Sequence, residues 1–289
     1  MENPLRGIAL ILGSTFLFSL SDATAKYLTG SLPVIEIAWI RYLVFVFFAL
    51  GLVIASGPGR FRVRRPGLQV IRGLGLVASA LAFIYALRYL PLANASAIGF
   101  VSPLLTTMLA VPMLGEVVGV RRWIASVIGL LGVLVVVRPG TGAFHPAAIL
   151  VVLSSLTSAL ASVLTRMMAR IDTSATTILW SACTGTVVLS AALPFEFLLP
   201  TPGELALLLV LGTVASAGQY LMVLAYRHAA VSVLAPFGYS QLIWATTLGF
   251  LVFAAIPDAW TFVGAAIIVA SGIYTAHRER LARRRVLRA

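Results

Sequence analysis

Residues 88–104 read RYLPLANASAIGFVSPL, and residues 227–243 read RHAAVSVLAPFGYSQLI. At the 139-residue offset between them Ala86 meets Ala225, Arg88 meets Arg227, Gly99 meets Gly238, Phe100 meets Tyr239 and Thr107 meets Thr246. A chain of 289 residues that repeats a phrase at about half its own length points to two copies of one unit. Composition says what kind of unit it is. Hydrophobic residues make up 60% of the chain and charged ones only 10%, against roughly 25% charged in a soluble domain. Too few charges remain to cover a water-facing surface.

A bilayer-crossing helix needs about 20 mainly apolar residues. Ten such runs occur, at about 7–28, 33–55, 69–88, 93–114, 122–138, 146–168, 174–194, 204–225, 230–254 and 259–276. The expected fold is therefore an all-α integral membrane protein of ten transmembrane helices. The amino terminus, MENPLRGIALILGSTFLFSL, carries an acidic residue and lacks a small-x-small cleavage site, so it reads as a retained first span. Cys183, the single cysteine, lies in an apolar run and reads as packing.

The net charge of +12 is spread in short basic clusters between the apolar runs, which makes it a signal of topology. With a cytoplasmic amino terminus, 17 of the 21 basic residues fall on the cytoplasmic side: Arg6, the 60–72 cluster, Arg121 and Arg122, Arg166 and Arg170, Arg227, and the tail from Arg278. Only Lys26, Arg41, Arg88 and Arg138 fall at or near the other side. Both termini are thus expected in the cytoplasm of a bacterial inner membrane. The tail HRERLARRRVLRA suits anionic lipid headgroups better than nucleic acid.

Five spans per half is an odd number, so the second copy starts on the opposite side of the membrane. The expected division is a first repeat at 1–143, an inverted second repeat at 144–277 and a basic tail at 278–289. Inverted repeats are a recurrent plan of secondary transporters, in which alternating access rocks one bundle against the other.

These residues resemble the drug/metabolite transporter superfamily, EamA type, over nearly the whole chain. The resemblance is carried by SLSDATAKYL (19–28), IRYL (40–43), ALRYLPLANASAIGFVSPLL (86–105), MLGE (113–116) and WIASVIGLLGV (123–133). AYRHAAVSVLAPFGYSQLI (225–243) and FVGAAIIVASGI (262–273) repeat it, with a departure at Ala255, where the counterpart of Glu116 would stand. The resemblance implies a central cavity between the halves, formed by spans one, three, four, six, eight and nine, and export or exchange of small metabolites. Bacterial inner-membrane exporters of amino acids, aromatic ones included, are the nearest likeness. S-adenosylmethionine carriers follow closely.

A midplane site needs helix irregularities and polar groups. Pro103 and Pro112 interrupt span four, and Pro236, near Gly238, interrupts span nine. Proline removes a backbone donor and disturbs the carbonyl one turn earlier, so Pro103, Pro236 and Gly238 are candidate hinges. The candidate cavity lining is Ser79, Phe83, Tyr85, Asn94, Gln219, Tyr239, Ser240, Gln241 and Trp244, with Ser96, Ser102 and Tyr220 nearby. Aromatic and amide side chains together stack a flat group and hydrogen-bond an amino-acid head group. Trp39 and Trp180 read as interface anchors.

Charge inside the hydrocarbon is costly and marks function. Asp22 lies about 22 Å along the first span at 1.5 Å per residue, and Arg41 reaches a comparable depth. Asp22 is expected to pair with Arg41 or with Lys26 one turn on, as a structural ion pair or as a coupling group. One acid and one base in the spans argue against a strongly charged substrate such as a phosphate ester.

No phosphate-binding G-x-x-x-x-G-K-[ST] loop, H-E-x-x-H or G-x-S-x-G is present. His145, His228 and His277 are scattered. An ATP-driven pump, an enzyme, a cofactor and a metal site are therefore not expected, and neither is a nucleic-acid partner. A single chain suffices for transport on this plan. A channel is the rival of a different class, but no pore loop or charged ring is legible.

Overall fold

The computed structural model describes residues 4–56, 63–115, 120–141, 144–168, 172–229 and 231–286. Arg60, Arg62, Arg170, Glu116, the expected repeat boundary at 143 and the last three residues lie outside these. So do the side chains of Arg121, Arg122, Arg227 and the tail from Arg278.

The described residues are helical throughout, in twelve α-helices: α1 (Pro4–Leu28), α2 (Val34–Ser56), α3 (Pro66–Leu87), α4 (Leu92–Gly99), α5 (Ser102–Leu114), α6 (Val120–Val137), α7 (Ala147–Met168), α8 (Ser174–Ala192), α9 (Pro202–His228), α10 (Val231–Gly238), α11 (Ser240–Phe253) and α12 (Ala259–Val286). Only Phe100 and Val101 separate α4 from α5, and only Tyr239 separates α10 from α11, so the twelve helices form ten consecutive rods. Seven stretches are long and apolar enough to cross a membrane: α1, α2, α3, α4 with α5, α7, α8 and α9. The apolar parts of α6 (Trp123–Val137) and α12 (Ala259–Tyr274) are shorter. This is a multi-span membrane protein.

Local chemistry sets several helix ends. Proline stands in the first turn of α3 and of α9, where its missing N–H costs nothing. Thr201 and Glu204 close a capping box on α9, with Thr201 N donating to Glu204 Oε2 at 2.8 Å and Glu204 N donating to Thr201 Oγ1 at 3.3 Å. Lys26 donates to the carbonyls of Leu87 (2.6 Å) and Leu90 (2.7 Å), groups that the end of α3 leaves without helical partners.

The 139-residue offset reappears in the helices. Shifted by it, Leu92–Gly99 becomes Val231–Gly238, which is α10, and the start of α6 at Val120 becomes the start of α12 at Ala259. The pairings share this symmetry: α1 packs on α9 as α7 packs on α3, α1 on α11 as α7 on α5, and α2 on α9 as α8 on α3. Three pairs, α2 with α8, α4 with α11 and α6 with α12, join corresponding or neighbouring rods of the two halves. Even single hydrogen bonds are mirrored, the Ser14 hydroxyl donating to Gly218 O (2.7 Å) and the Ser154 hydroxyl to Ser79 O (2.8 Å). Ser79 and Gly218 are again 139 apart, and Ser14 and Ser154 are 140 apart. Hydroxyls of this kind join helices where lipid offers no hydrophobic drive.

Side-chain contacts sort the connections onto two ends of the bundle. At one end, here the upper, Lys26 reaches Leu87 and Leu90, Leu198 N donates to Glu36, Tyr89 stacks on His145, and Arg138 pairs with Asp258. At the lower end Gln69 and Arg64 N bind Asp172, and Gly7 packs against Ala229. At the bundle's edge, α6 and α12 approach closely: a methyl built at Gly264 would lie 2.6 Å from the Gly132 carbonyl oxygen.

Candidate functional site

The two broken rods meet at the centre. Pro103 takes the second position of α5 and has no N–H to offer the carbonyl four residues earlier, that of Gly99. Ser155 of α7 supplies the replacement donor, its hydroxyl lying 3.4 Å from Gly99 O. The break itself lies at Phe100 and Val101, where tight turns such as Val101 N to Ile98 O (3.0 Å) replace helical bonds. In the other half Pro236 precedes its break and lies inside α10, while Tyr239 and Gly238 stand at the junction. Phe100 and Tyr239 touch, with ring centroids 5.0 Å apart and planes at 47°.

Below and around this contact is a cavity of about 460 Å³, within the range of small-molecule sites. It is lined by residues of α1, α2, α3, α4, α5, α7, α8, α9 and α11. Spans two and seven therefore contribute to the wall, beyond the six that the sequence reading named. Of the expected lining, Ser79, Phe83, Gln219 and Gln241 are present, with Ser96, Ser102, Asp22 and Arg41.

The other candidates are elsewhere. Tyr85 is exposed and tilts against Tyr89 at 5.7 Å, at the upper end. Asn94 accepts from the Thr261 hydroxyl (3.3 Å), tying α4 to α12. Ser240 bonds Thr15 (2.8 Å) across α11 and α1, and Trp244 sets its ring edge-on to Phe16 at 5.4 Å. Tyr220 packs edge-on to Phe48 at 5.9 Å, and Trp39 donates to Ser190 (2.7 Å), tying α2 to α8. Helical spacing told which residues share a face of a rod; it did not tell which face turns inward.

The charge arrangement separates the two partners expected for Asp22. Lys26 is committed to carbonyls and sits over the Phe253 ring at 5.4 Å, so it is not the partner of Asp22. Asp22 is buried, with Gln241 in hydrogen-bonding range and Arg41 acting on it through space. Among the described residues the one ion pair in direct contact is Arg138 with Asp258.

Arg72 is the larger correction. Counted with the cytoplasmic cluster on sequence, it lines the cavity, because α3 begins at Pro66 and carries it one and a half turns into the bundle. Its Nε donates to Thr165 Oγ1 (2.6 Å), and its Nη1 donates to Thr177 O (3.2 Å) and to Ser181 Oγ. Tyr42, Phe18, Phe45, Ser158 and Ser181 also line the cavity and were not singled out. A polar or aromatic residue in an apolar run was the only available signal, and many such residues face elsewhere.

This architecture has counterparts. The model of the EamA-like transporter family matches residues 5–138 and again residues 145–276. The chain belongs to the EamA-like transporter family. A transporter for S-adenosylmethionine uptake from Rickettsia prowazekii is 28% identical over 281 residues, covering 97% of this chain and 95% of that protein. A riboflavin transporter from Rhizobium johnstonii is 28% identical over 265 residues (91% and 88%), and a pseudopaline exporter from Pseudomonas aeruginosa is 26% identical over 269 (92% and 94%). A solved crystal structure superposes with a TM-score of 0.66 over 96% of this chain and 98% of the other at 20% identity, a likeness of fold. This EamA-like chain is a small-metabolite transporter. The expectation of amino-acid cargo is overtaken by these relatives, whose cargoes are S-adenosylmethionine, riboflavin and pseudopaline.

Proposed function

We propose that the chain is a bacterial inner-membrane secondary carrier for S-adenosylmethionine or a metabolite built like it, an α-amino-acid head group joined to a flat ring. The observation that carries this reading is the lining of the cavity. It combines the rings of Phe18, Tyr42, Phe45, Phe83 and Phe100, the amides of Gln219 and Gln241, a run of serines, one carboxylate and two guanidiniums. Rings stack a purine, amides and hydroxyls read its edges, and charged groups fix the head group. The similarity to S-adenosylmethionine carriers over nearly the full chain supports the same cargo class. Aromatic amino acids, the cargo favoured by sequence, present the same head group and remain as competitors in the test.

The mirrored pairings support alternating access by two inverted five-helix repeats, residues 1–143 and 144–277, with ten spans and both termini in the cytoplasm. The cavity is enclosed by one chain, so a monomer is sufficient. Asp22 is the candidate coupling group, and the basic tail meets anionic headgroups.

Purified protein in liposomes preloaded with unlabelled S-adenosylmethionine should accumulate the labelled compound by counterflow, saturably and without single-channel current steps. Counterflow of labelled phenylalanine into phenylalanine-loaded liposomes, with none of S-adenosylmethionine, would return the cargo to the amino acids. Single-cysteine labelling on a Cys183→Ser background should mark positions 64 and 277 from the cytoplasm and positions 141 and 199 from the other side. Labelling of 64 and 277 from opposite sides would dismantle the inverted plan.

A further inference from the structure

The lower part of the cavity holds a cation that makes no direct ion pair, the carboxylate at this end, Asp172, being taken by Gln69 Nε2 (2.7 Å) and Arg64 N (3.0 Å). Arg72 sits about 9 Å above the start of α3, while Asp22 sits about 9 Å below the end of α1 at the opposite end of the bundle. With α3 about 33 Å long, the two lie roughly 15 Å apart along the bundle. Asp22 is therefore too far to neutralise Arg72, and no described carboxylate makes an ion pair with it. Its surroundings are hydroxyls and a carbonyl: Thr165, Ser181 and Thr177 O.

These partners use Nε and Nη1. Nη2 has no hydrogen bond, and it is not among the buried polar atoms lacking a partner, so it keeps accessible surface in a residue that lines the cavity. A guanidinium fixed on two nitrogens with the third presented to a cavity is pre-organised to give an anion such as a carboxylate a charge-assisted hydrogen bond from that third nitrogen. Above it, at the middle and upper levels, stand Phe45, Phe18, Phe100 and Phe83.

We propose that Arg72 is the carboxylate anchor of this carrier: it holds the acid end of the substrate at the lower level while the ring of the substrate lies among the phenylalanines above. The inference rests on the cargo class proposed above and adds which end of the molecule lies where. It makes the carboxylate a preferred feature of the substrate, and it makes Arg72 a specificity-determining residue. Hydrogen bonds to charged groups contribute about 1.5–3 kcal/mol, which corresponds to a preference of about tenfold or more.

The test is a pair of competitors differing only in the carboxylate. In counterflow of labelled S-adenosylmethionine, wild-type protein should be inhibited at least about tenfold better by S-adenosylmethionine than by its decarboxylated form. In Arg72→Gln that ratio should fall to within about twofold, while inhibition by adenosine, which has no carboxylate, stays as in wild type. An unchanged ratio in Arg72→Gln, or equal weakening towards all three compounds, would assign Arg72 to helix tethering and overturn the proposal. Should Arg72→Gln fail to fold, Arg72→Lys keeps a charge but loses the Nε and Nη1 tethers that aim it, and should reduce the ratio partway; a wild-type ratio near one overturns the anchor without any variant. Absence of counterflow in wild type defeats the cargo assignment alone. The anchor is then read from thermal stabilisation by methionine over methioninamide, present in wild type and lost in Arg72→Gln, and equal stabilisation by both sinks it.

Discussion

A methyl group at Gly264 tests the division between scaffold and site. A Cβ there would lie 2.6 Å from Gly132 O, 2.5 Å from Val136 Cγ2 and 3.0 Å from Val136 N. Two of these three atoms are backbone and cannot rotate away. Restoring an ordinary contact of about 3.4 Å requires α6 and α12 to part by roughly 0.8 Å, and overpacking of this kind costs about 1–3 kcal/mol. At about 2–4 °C per kcal/mol for a chain of this size, Gly264→Ala should lower the unfolding midpoint by several degrees in detergent. Gly132→Ala meets the Gly264 carbonyl at 2.9 Å and Ile268 Cγ1 at 2.8 Å, so it strains the same contact. The double variant should lose less than the sum of the two, because one separation relieves both clashes. No cavity-lining residue lies on α6 or α12, so the surviving protein should keep its substrate KM. Thermal unfolding followed by size-exclusion chromatography, with counterflow on the same preparations, reads both quantities. A wild-type midpoint for Gly264→Ala, or a shifted KM, would show that the α6–α12 seam does not act as scaffold alone.

Other perturbations probe the site and the ends of the rods. Asp22→Asn should abolish gradient-driven transport and preserve exchange; unchanged uptake under a proton gradient would remove Asp22 from coupling. Gln241→Ala, which strips the cavity of an amide beside Asp22, should weaken substrate binding about tenfold by loss of a buried hydrogen bond, whereas Asn94→Ala, outside the cavity, should leave KM unmoved in the same counterflow assay. Ala254 ends α11 in the left-handed region at φ 51, the position where Gly115 ends α5 at φ 66. Ala254→Gly should therefore stabilise the fold by about 0.5–1 kcal/mol, the αL penalty less the entropy of glycine, and a lower melting temperature contradicts this. The Thr261 hydroxyl, with Arg138 beside it, holds the Asp258 carboxyl below the usual carboxylate range. A depressed carboxyl contributes stability that is complete above about pH 4 and is lost as pH falls further. Melting curves of wild type and Asp258→Asn should thus converge in acid, and parallel curves down to pH 3 would exclude the contribution.

The repeat was legible because it is written in residues with backbone consequences. Gly99 and Gly238 end α4 and α10 at the same register, and the prolines mark both broken rods, although Pro103 follows its break and Pro236 precedes its own. The helical class was equally plain, since hydropathy and a bilayer leave little else. The site was harder. Phe83, Gln219 and Gln241 were found as polar or aromatic residues near the breaks, but Asn94, Ser240 and Trp244 met the same description and serve helix packing. Inward facing depends on the azimuth of each rod, which only the partner rods fix. Arg72 was misplaced because arginine near a helix start reads as an interface residue, while its long side chain found Thr165 and Ser181 instead. Lys26 was misread for the converse reason: its best partners were carbonyls, which a sequence does not display.

Phe100 and Tyr239 are corresponding positions of the two halves, and they touch. Two equivalent points can meet only where the halves' exchange axis passes, so this pair marks the pivot of the molecule. Only a carrier whose two halves were identical throughout would have equal energies when open to either compartment. Here one ring carries a hydroxyl, set against Gly272, and the other does not. The Tyr239 hydroxyl makes the pivot itself asymmetric, so Tyr239→Phe is the single change that would bring the two halves' contact there closest to equivalence.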